Sequence, residues 1–283
     1  MNAADGIRLA RFRELWVHTG TACNLSCAFC HEASAPADTR LPAPTFDELA
    51  PQLDAAAHAG VERFCFTGGE PLIHREILRI LRHALSLRPV LVLTNGTAPF
   101  IRRPNSLAQL QGLPHAASFR VSIDHPDEAR HDAERGFRNF RKALQGLKLL
   151  AEAGFSVGIT RLSQPDEDVA AIELRYRQLL RRQSLPDTLQ LVALPDLGRP
   201  GQPALEAIAP TPPTAVPLPD TACSRSRMLL RRETSLAFSP CPFVDDEPGY
   251  DLGPDLSPAL AALALPRHAR CATCLGAGVP YAG

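Results

Sequence analysis

Several features are missing from this sequence, and each absence narrows what the chain can be. No run of 18 apolar residues occurs in its 283 positions, which argues against a membrane-spanning helix. The opening MNAADGIRLARFREL lacks the apolar stretch of a signal peptide, so a cytoplasmic location is expected. Lys and Arg total 30 against 30 Asp and Glu, with no block of like charge. The electrostatic footprint of a nucleic-acid or anionic-membrane binder is therefore absent. No internal repeat is present. What remains is 45% apolar and long enough for one large α/β domain with an appendage, and a small-molecule partner is the natural expectation.

Eight cysteines stand out against this background. A cytoplasmic chain keeps its thiols reduced, so metal binding or catalysis explains them better than a disulfide framework. Cys23, Cys27 and Cys30 sit close together in CNLSCAFC, Cys65 stands alone in FCF, and Cys223, Cys241, Cys271 and Cys274 form a tail group. A lone cysteine on a strand is read as a small core hydrophobe.

Apolar alternation and β-branched enrichment place strands at about 14–18, 61–66, 89–94, 118–123, 155–160 and 188–193. A helix begins at Thr45, where T-F-D-E offers a capping box with Glu48, and stops at Gly60. Further helical patterns run over about 74–87, 137–153 and 166–183, with a weaker one at 104–112. This alternation predicts right-handed βαβ units and a parallel sheet. Eight prolines between Pro195 and Pro219 mark a crossing segment. The expected division is therefore a barrel over 1–195, a Pro-rich linker over 196–219 and a small domain over 220–283. That last part is too short of apolar periodicity to fold alone, and a metal held by its four cysteines would stabilise it.

In parallel α/β folds ligands bind beyond the C-terminal strand ends. The unusual motifs all fall there: the three-cysteine loop after the first strand, T-G-G-E-P at 67–71 after the second, T-N-G at 94–96 after the third, Ser122 and Asp124 at the fourth, and Arg161 at the fifth. Three thiolates suit a four-iron cluster with one iron left open. They also suit a zinc knuckle completed by His31. The tail spacing C-x17-C-x29-C-x2-C is compatible with four-thiolate zinc or with a second iron-sulfur cluster.

C-x3-C-x2-C with Phe29 before the last cysteine resembles the signature of the radical S-adenosylmethionine superfamily, and T-G-G-E-P, T-N-G, VSID and DHPDEARHDAERG extend the likeness. The resemblance implies a partial (β/α)6 TIM-like barrel with a small C-terminal Fe-S-binding extension. It implies a [4Fe-4S] cluster on Cys23, Cys27 and Cys30 whose open iron chelates S-adenosylmethionine, with Phe29, Gly68, Gly69, Glu70, Thr94, Asn95, Ser122 and Asp124 near that cofactor. It also implies an auxiliary [4Fe-4S] cluster of the twitch type on Cys223, Cys241, Cys271 and Cys274, and a flavodoxin- or ferredoxin-type reductant. Reductive cleavage would give a 5'-deoxyadenosyl radical that abstracts hydrogen from substrate. An auxiliary cluster with four protein ligands favours net oxidation, as in an aminocyclitol-oxidising relative, with Arg161 the candidate residue near substrate. His31 and Glu32 are either solvated or a likeness to the cyclases of molybdopterin biosynthesis. A GTP 3',8-cyclase-like reaction, peptide modification and a non-enzymatic two-cluster electron carrier are the alternatives. With 22 residues before Cys23, no leader-recognition domain is expected there.

Overall fold

The computed structural model describes residues 6–164, 167–199, 221–244 and 247–277. In chain order its elements are β1 (Glu14–His18), α1 (Phe46–His58), β2 (Arg63–Thr67), α2 (Ile77–Leu87), β3 (Val90–Thr94), α3 (Pro104–Ala108), β4 (Ala117–Ser122), α4 (Glu128–Arg135), α5 (Asn139–Glu152), β5 (Ser156–Leu162), α6 (Val169–Arg182), β6 (Gln190–Leu194), α7 (Ala222–Arg225), β7 (Ser226–Arg231), β8 (Leu236–Ser239), α8 (Leu256–Ala261) and α9 (Ala269–Ala277). The sheet runs β6-β5-β4-β3-β2-β1-β7-β8. Its first seven strands pair in parallel, and β8 returns antiparallel to β7. The fold is α/β: an open, partial TIM-like barrel.

Local chemistry accounts for the elements. Thr45 accepts from the Glu48 N–H at 3.3 Å while Glu48 accepts from the Thr45 N–H at 2.7 Å, the reciprocal cap that fixes where α1 starts. Alternation then sorts each strand between two faces. Leu15 and Val17 join Phe64, Phe66, Val92 and Phe119 in the core beneath the helices. Trp16 turns the other way, into a second cluster with Cys65, Leu91, Met228 and Leu230. Burial of each of these large side chains contributes about 1.5–3 kcal/mol. Cys65 sits fully buried in that inner cluster.

The structure adds six elements to the expected set: α4, the strands β7 and β8, and the tail helices α7, α8 and α9. Helix α4 is polar over most of its length, so it carries little apolar periodicity. It forms because Asp127 accepts from the Arg130 N–H at 3.1 Å and Gly136 ends it with φ of +93°. Strands β7 and β8 raise the sheet from the expected six strands to eight, and both are buried almost throughout, without alternation, because both faces are covered. The tail thus docks edge-on: Glu14 to Val17 of β1 pair with Ser226 to Leu229 of β7. The Pro-rich crossing segment falls mainly at 200–220, outside the described residues. Among the described residues no helix is long and apolar enough to cross a membrane.

Candidate active site at the strand ends

The cysteine loop leaves β1 and is fastened by main-chain bonds before any side chain acts. Thr21 N–H donates to Leu41 O at 3.0 Å, Cys23 N–H to Ala35 O at 3.1 Å, and Ala28 N–H to Glu134 O of α4 at 3.1 Å. Cys23 is buried and Cys27 and Cys30 are half-buried. Burial pushes the Cys23 thiol up to about 12 and raises those of Cys27 and Cys30 as well, while Arg135 pulls the last two back. Thiols so placed stay protonated at neutral pH unless a cation takes the proton's place, which is the chemistry of thiolate-bound metal. Among the described residues no three Cys, His, Asp or Glu side chains converge as ligands of one ion must. Thiolates of a four-iron cluster each take a different iron, so they surround the group instead of meeting at a point. The three thiols of the front loop fit such a cluster.

Behind Cys23 lies a buried polar hub. Glu70 accepts from Leu72 N–H at 3.1 Å, from the Thr94 hydroxyl at 2.7 Å and from Asn95 N–H at 2.7 Å, which ties the end of β2 to the end of β3. The Asn95 amide donates to Asn24 Oδ1 at 2.9 Å and lies 3.8 Å from Cys23 Sγ, and Thr97 closes the ring with Asn24 and Asn95. Glu70, Thr94 and Asn95 were expected beside a cofactor. In the structure the Glu70 and Thr94 side chains bond to each other, while that of Asn95 bonds to Asn24 and Thr97 and so holds the loop that carries the cysteines.

Burial raises the Glu70 carboxyl from 4.5 to about 7 against the pull of its three donors. Native Glu70 therefore keeps a proton that the unfolded chain gives up near 4.5, so this stabilisation is complete below 4.5 and is lost as pH rises through about 7. Glu70→Ala, which strands all three donors, is expected to lower stability by about 3 kcal/mol or more. The stability gap from wild type should narrow between about pH 5 and pH 8 in denaturant melts. A gap that widens with pH would contradict this assignment.

Gly68 and Gly69 also serve the chain itself. A Cβ on Gly69 would stand 2.1 Å from Ala22 O, and one on Gly68 2.7 Å from Gly20 O. The T-G-G-E turn presses on the backbone of residues 20–22, where Gly69 N–H donates to Gly20 O at 2.9 Å and Glu70 N–H to Ala22 O at 3.1 Å.

Asp124, just beyond β4, is held from three sides. Arg135 of α4 binds its carboxylate, Leu162 N–H donates to it at 3.3 Å, and its own N–H donates to His131 Nδ1 at 3.2 Å. Burial lowers His131 to about 4, so the ring is neutral and can accept that bond. Burial also opposes the charge on Arg135, but Asp124, Cys27 and Cys30 outweigh it and keep the guanidinium protonated. The guanidinium carbon lies 5.2 Å from the centre of the Phe29 ring. One cation thus joins Phe29, the two outer thiols and the end of β4. Ser122 is half-buried at the end of β4, in register with Thr160. Arg135 escaped the sequence reading, although it lies inside the stretch DHPDEARHDAERG that carried the resemblance.

Arg161, the candidate residue near substrate, lies at the end of β5 as expected and is buried. Its guanidinium grips Glu167 in two bonds of 2.9 and 2.6 Å and donates to Leu162 O at 3.1 Å. On the pleat it shares a face with Val157 and Ile159, which pack in the core beneath the helices. It forms a buried ion pair with Glu167. Glu32 is 3% exposed, not solvated. Gly20 N–H donates to His18 Nδ1 at 3.2 Å, so His18 Nε2–H is left to donate to Glu32 at 3.0 Å.

The tail cysteines come together as well. Cys223, Cys241, Cys271 and Cys274 line one apolar cavity, with Phe243 and Tyr250 among its walls. Burial raises all four thiols, Cys271 to about 11 and Cys274 to about 12. The donor set fits a thiolate-bound metal centre by the argument used for the front loop. Arg270, just before Cys271, reaches from α9 to Phe243 O at 2.9 Å, to Gly198 O at 3.4 Å and to His31 O at 2.6 Å. One guanidinium therefore connects the tail cavity to the residue after Cys30. No local pattern in the sequence marks it.

The model of the Radical SAM superfamily matches residues 17–176. A probable GTP 3',8-cyclase of Methanocella arvoryzae is 34% identical over 152 residues, 53% of this chain and 46% of that protein. An AdoMet-dependent heme synthase of Methanosarcina barkeri is 35% identical over 140 residues, 47% of this chain and 37% of that protein. The match thus spans less than half of either relative. Among solved structures, Streptococcus suis SuiB bound to S-adenosylmethionine superposes with a TM-score of 0.55 at 17% identity, covering 67% of this chain and 42% of SuiB. That likeness concerns the fold alone.

Proposed function

Because this chain belongs to the radical S-adenosylmethionine superfamily, which implies a [4Fe-4S] cluster and S-adenosylmethionine, we propose that it oxidises a small hydroxylated molecule by hydrogen abstraction. Cys23, Cys27 and Cys30 would hold the first cluster, and Cys223, Cys241, Cys271 and Cys274 an auxiliary one. When bound, the first cluster and its cofactor supply a 5'-deoxyadenosyl radical that removes a hydrogen atom, and the second supplies an acceptor for the electron that leaves with a proton as product forms. The observation that carries the oxidative reading is the tail cavity. Its four cysteines can fill every ligand position, leaving none for substrate, and Arg270 fastens the cavity beside the front loop.

The residues of the chain have definable tasks in this scheme. Asp124 and Arg135 anchor the fourth strand end to the cysteine loop, the Glu70 hub fixes Cys23, and the inner apolar face with Trp16 and Leu91 excludes water beneath the site. The proposed electron donor is a flavodoxin- or ferredoxin-type protein. Neither a nucleic-acid nor a membrane partner is proposed. A second reading, cyclisation of a nucleotide, is favoured by the GTP 3',8-cyclases among the relatives.

One experiment separates the two. Reconstituted enzyme is incubated without oxygen with S-adenosylmethionine, dithionite and either a panel of aminocyclitols and other polyols or GTP. Oxidation predicts that a polyol raises 5'-deoxyadenosine formation and yields a product lighter by two hydrogens. Stimulation by GTP, with no polyol turned over, would contradict it and support cyclisation.

A further inference from the structure

Arg227, the second residue of β7, has no exposed surface. A guanidinium keeps its charge inside a protein, so a buried one needs acceptors for its donors and a negative group near its charge. Its acceptors are all main-chain carbonyls. Nε donates to Ala259 O at 2.8 Å, Nη2 to Ala262 O at 2.8 Å, and Nη1 to Cys223 O and Ser226 O at 2.9 Å and to Pro240 O at 3.4 Å. These satisfy the hydrogen bonds and leave the charge unmatched.

Three other buried or half-buried arginines are each paired with a carboxylate: Arg135 with Asp124, Arg161 with Glu167 and Arg63 with Glu14. Among the described residues no such carboxylate reaches Arg227. The groups that can oppose its charge are the sulfurs of Cys223 and Cys241, and only once they are thiolates. Those two cysteines line the tail cavity with Cys271 and Cys274.

We propose that Arg227 is the built-in counter-charge of an anionic four-thiolate centre in the tail cavity and makes that centre easier to reduce. The proposal rests on the reading that these cysteines hold a cluster. Four thiolates outweigh the positive charge of a cubane core, so the assembled centre is negative and becomes more so on gaining an electron. A fixed cation held on the carbonyls of Cys223 and of Pro240, the residue before Cys241, favours the more negative state, because the surrounding interior screens it poorly. The same cation offsets the cost of burying the thiolates at assembly. Arg227 is thus a positioning and tuning residue for the electron-accepting end of the site, out of reach of substrate.

The test uses full-length protein reconstituted with iron and sulfide, with wild-type Arg227, Arg227→Lys or Arg227→Gln. The tail centre is assigned by its persistence when Cys23, Cys27 and Cys30 are all changed to Ala. Lysine keeps the charge but cannot reach all the carbonyls, whereas glutamine keeps some hydrogen bonding without charge. In redox titrations followed by electron paramagnetic resonance, Arg227→Gln is expected to make the tail centre about tenfold harder to reduce, a shift of ~59 mV for a one-electron couple. Arg227→Lys should stay close to wild type, and the front centre should not move. A tail potential unchanged in Arg227→Gln, or shifted equally by both substitutions, overturns the proposal.

If Arg227→Gln takes up no iron at the tail, uptake itself decides. Loading of the lysine variant alone supports a counter-charge, while failure of both shows that the fan of hydrogen bonds is what matters and overturns it. A tail that holds zinc in otherwise wild-type protein refutes the electron-accepting reading separately. The counter-charge then stands if lysine retains zinc and glutamine does not, and falls if both retain it. A tail that binds neither metal overturns both ideas.

Discussion

The Cys23→Ala, Cys27→Ala, Cys30→Ala variant is expected to form no 5'-deoxyadenosine above background when reduced with dithionite in the presence of S-adenosylmethionine. Each thiolate of a three-cysteine loop serves a different iron, so no remaining side chain can replace what is lost. The fold should survive, because the loop is fastened by main-chain bonds to Leu41, Ala35 and Glu134, with only weak sulfur bonds to Cys23 from the Leu25 N–H and the Asn95 amide. Removing three buried or half-buried thiols costs only small-cavity amounts, about 1 kcal/mol each at most. Loss of cleavage with a melting temperature lowered by no more than about 6 °C is therefore the expected pair of results, read by chromatography and circular dichroism. Cleavage retained by the triple variant would remove the front loop from the chemistry altogether.

Gly69→Ala should have the opposite profile, with stability failing first. The added Cβ would stand 2.1 Å from Ala22 O, 2.6 Å from Ala22 C and 2.7 Å from Thr21 O, and all three are backbone atoms that cannot rotate away. Relief requires the T-G-G-E turn to lift off residues 20–22, which breaks the bonds from Gly69 N–H to Gly20 O and from Glu70 N–H to Ala22 O. A backbone clash of this kind costs at least ~3 kcal/mol, or roughly 6 °C or more in melting temperature for a chain of this size. Iron uptake by the front loop should fall with it, since Cys23 follows the displaced backbone directly. Gly60→Ala provides the control: it carries a positive φ of +87° but has nothing within 4 Å, so about 1 kcal/mol of backbone strain is its whole expected effect. Equal losses in the two variants would mean that the close approach of two turns is not what Gly69 serves.

The contrast between these glycines shows how far the sequence could be read. Its periodicity located the centres of six of the seven parallel strands, and the Thr45 and Glu48 box located the start of α1, because strand alternation and helix caps are local. The gathering of motifs on one rim also followed, since every strand end of a parallel sheet points the same way. What each rim residue touches was not legible. Glu70 and Asn95 lie 25 positions apart in the chain, and only the fold reveals that a strand-end carboxylate faces the next turn's N–H. Arg161 sits at a strand end as expected, yet one residue of pleat turns it toward Glu167 and the helix side. Helix α4 and strands β7 and β8 lacked the periodic signal on which a sequence reading relies, the first for want of apolar residues and the others because both faces are buried. Arg135, Arg227 and Arg270 each act on segments distant in sequence, and nothing local distinguishes them from surface arginines.

The central claim is that two separate sets of cysteines, three at the front and four in the tail, hold iron-sulfur clusters with different tasks. Its most direct test is iron, sulfide and zinc per chain, prepared without oxygen, in wild type and in the variant lacking Cys23, Cys27 and Cys30. The account predicts about eight irons with matching sulfide in wild type and about four in the variant, as cubane clusters require. A variant holding one zinc and no iron would leave the front radical chemistry standing and contradict the oxidative role of the tail.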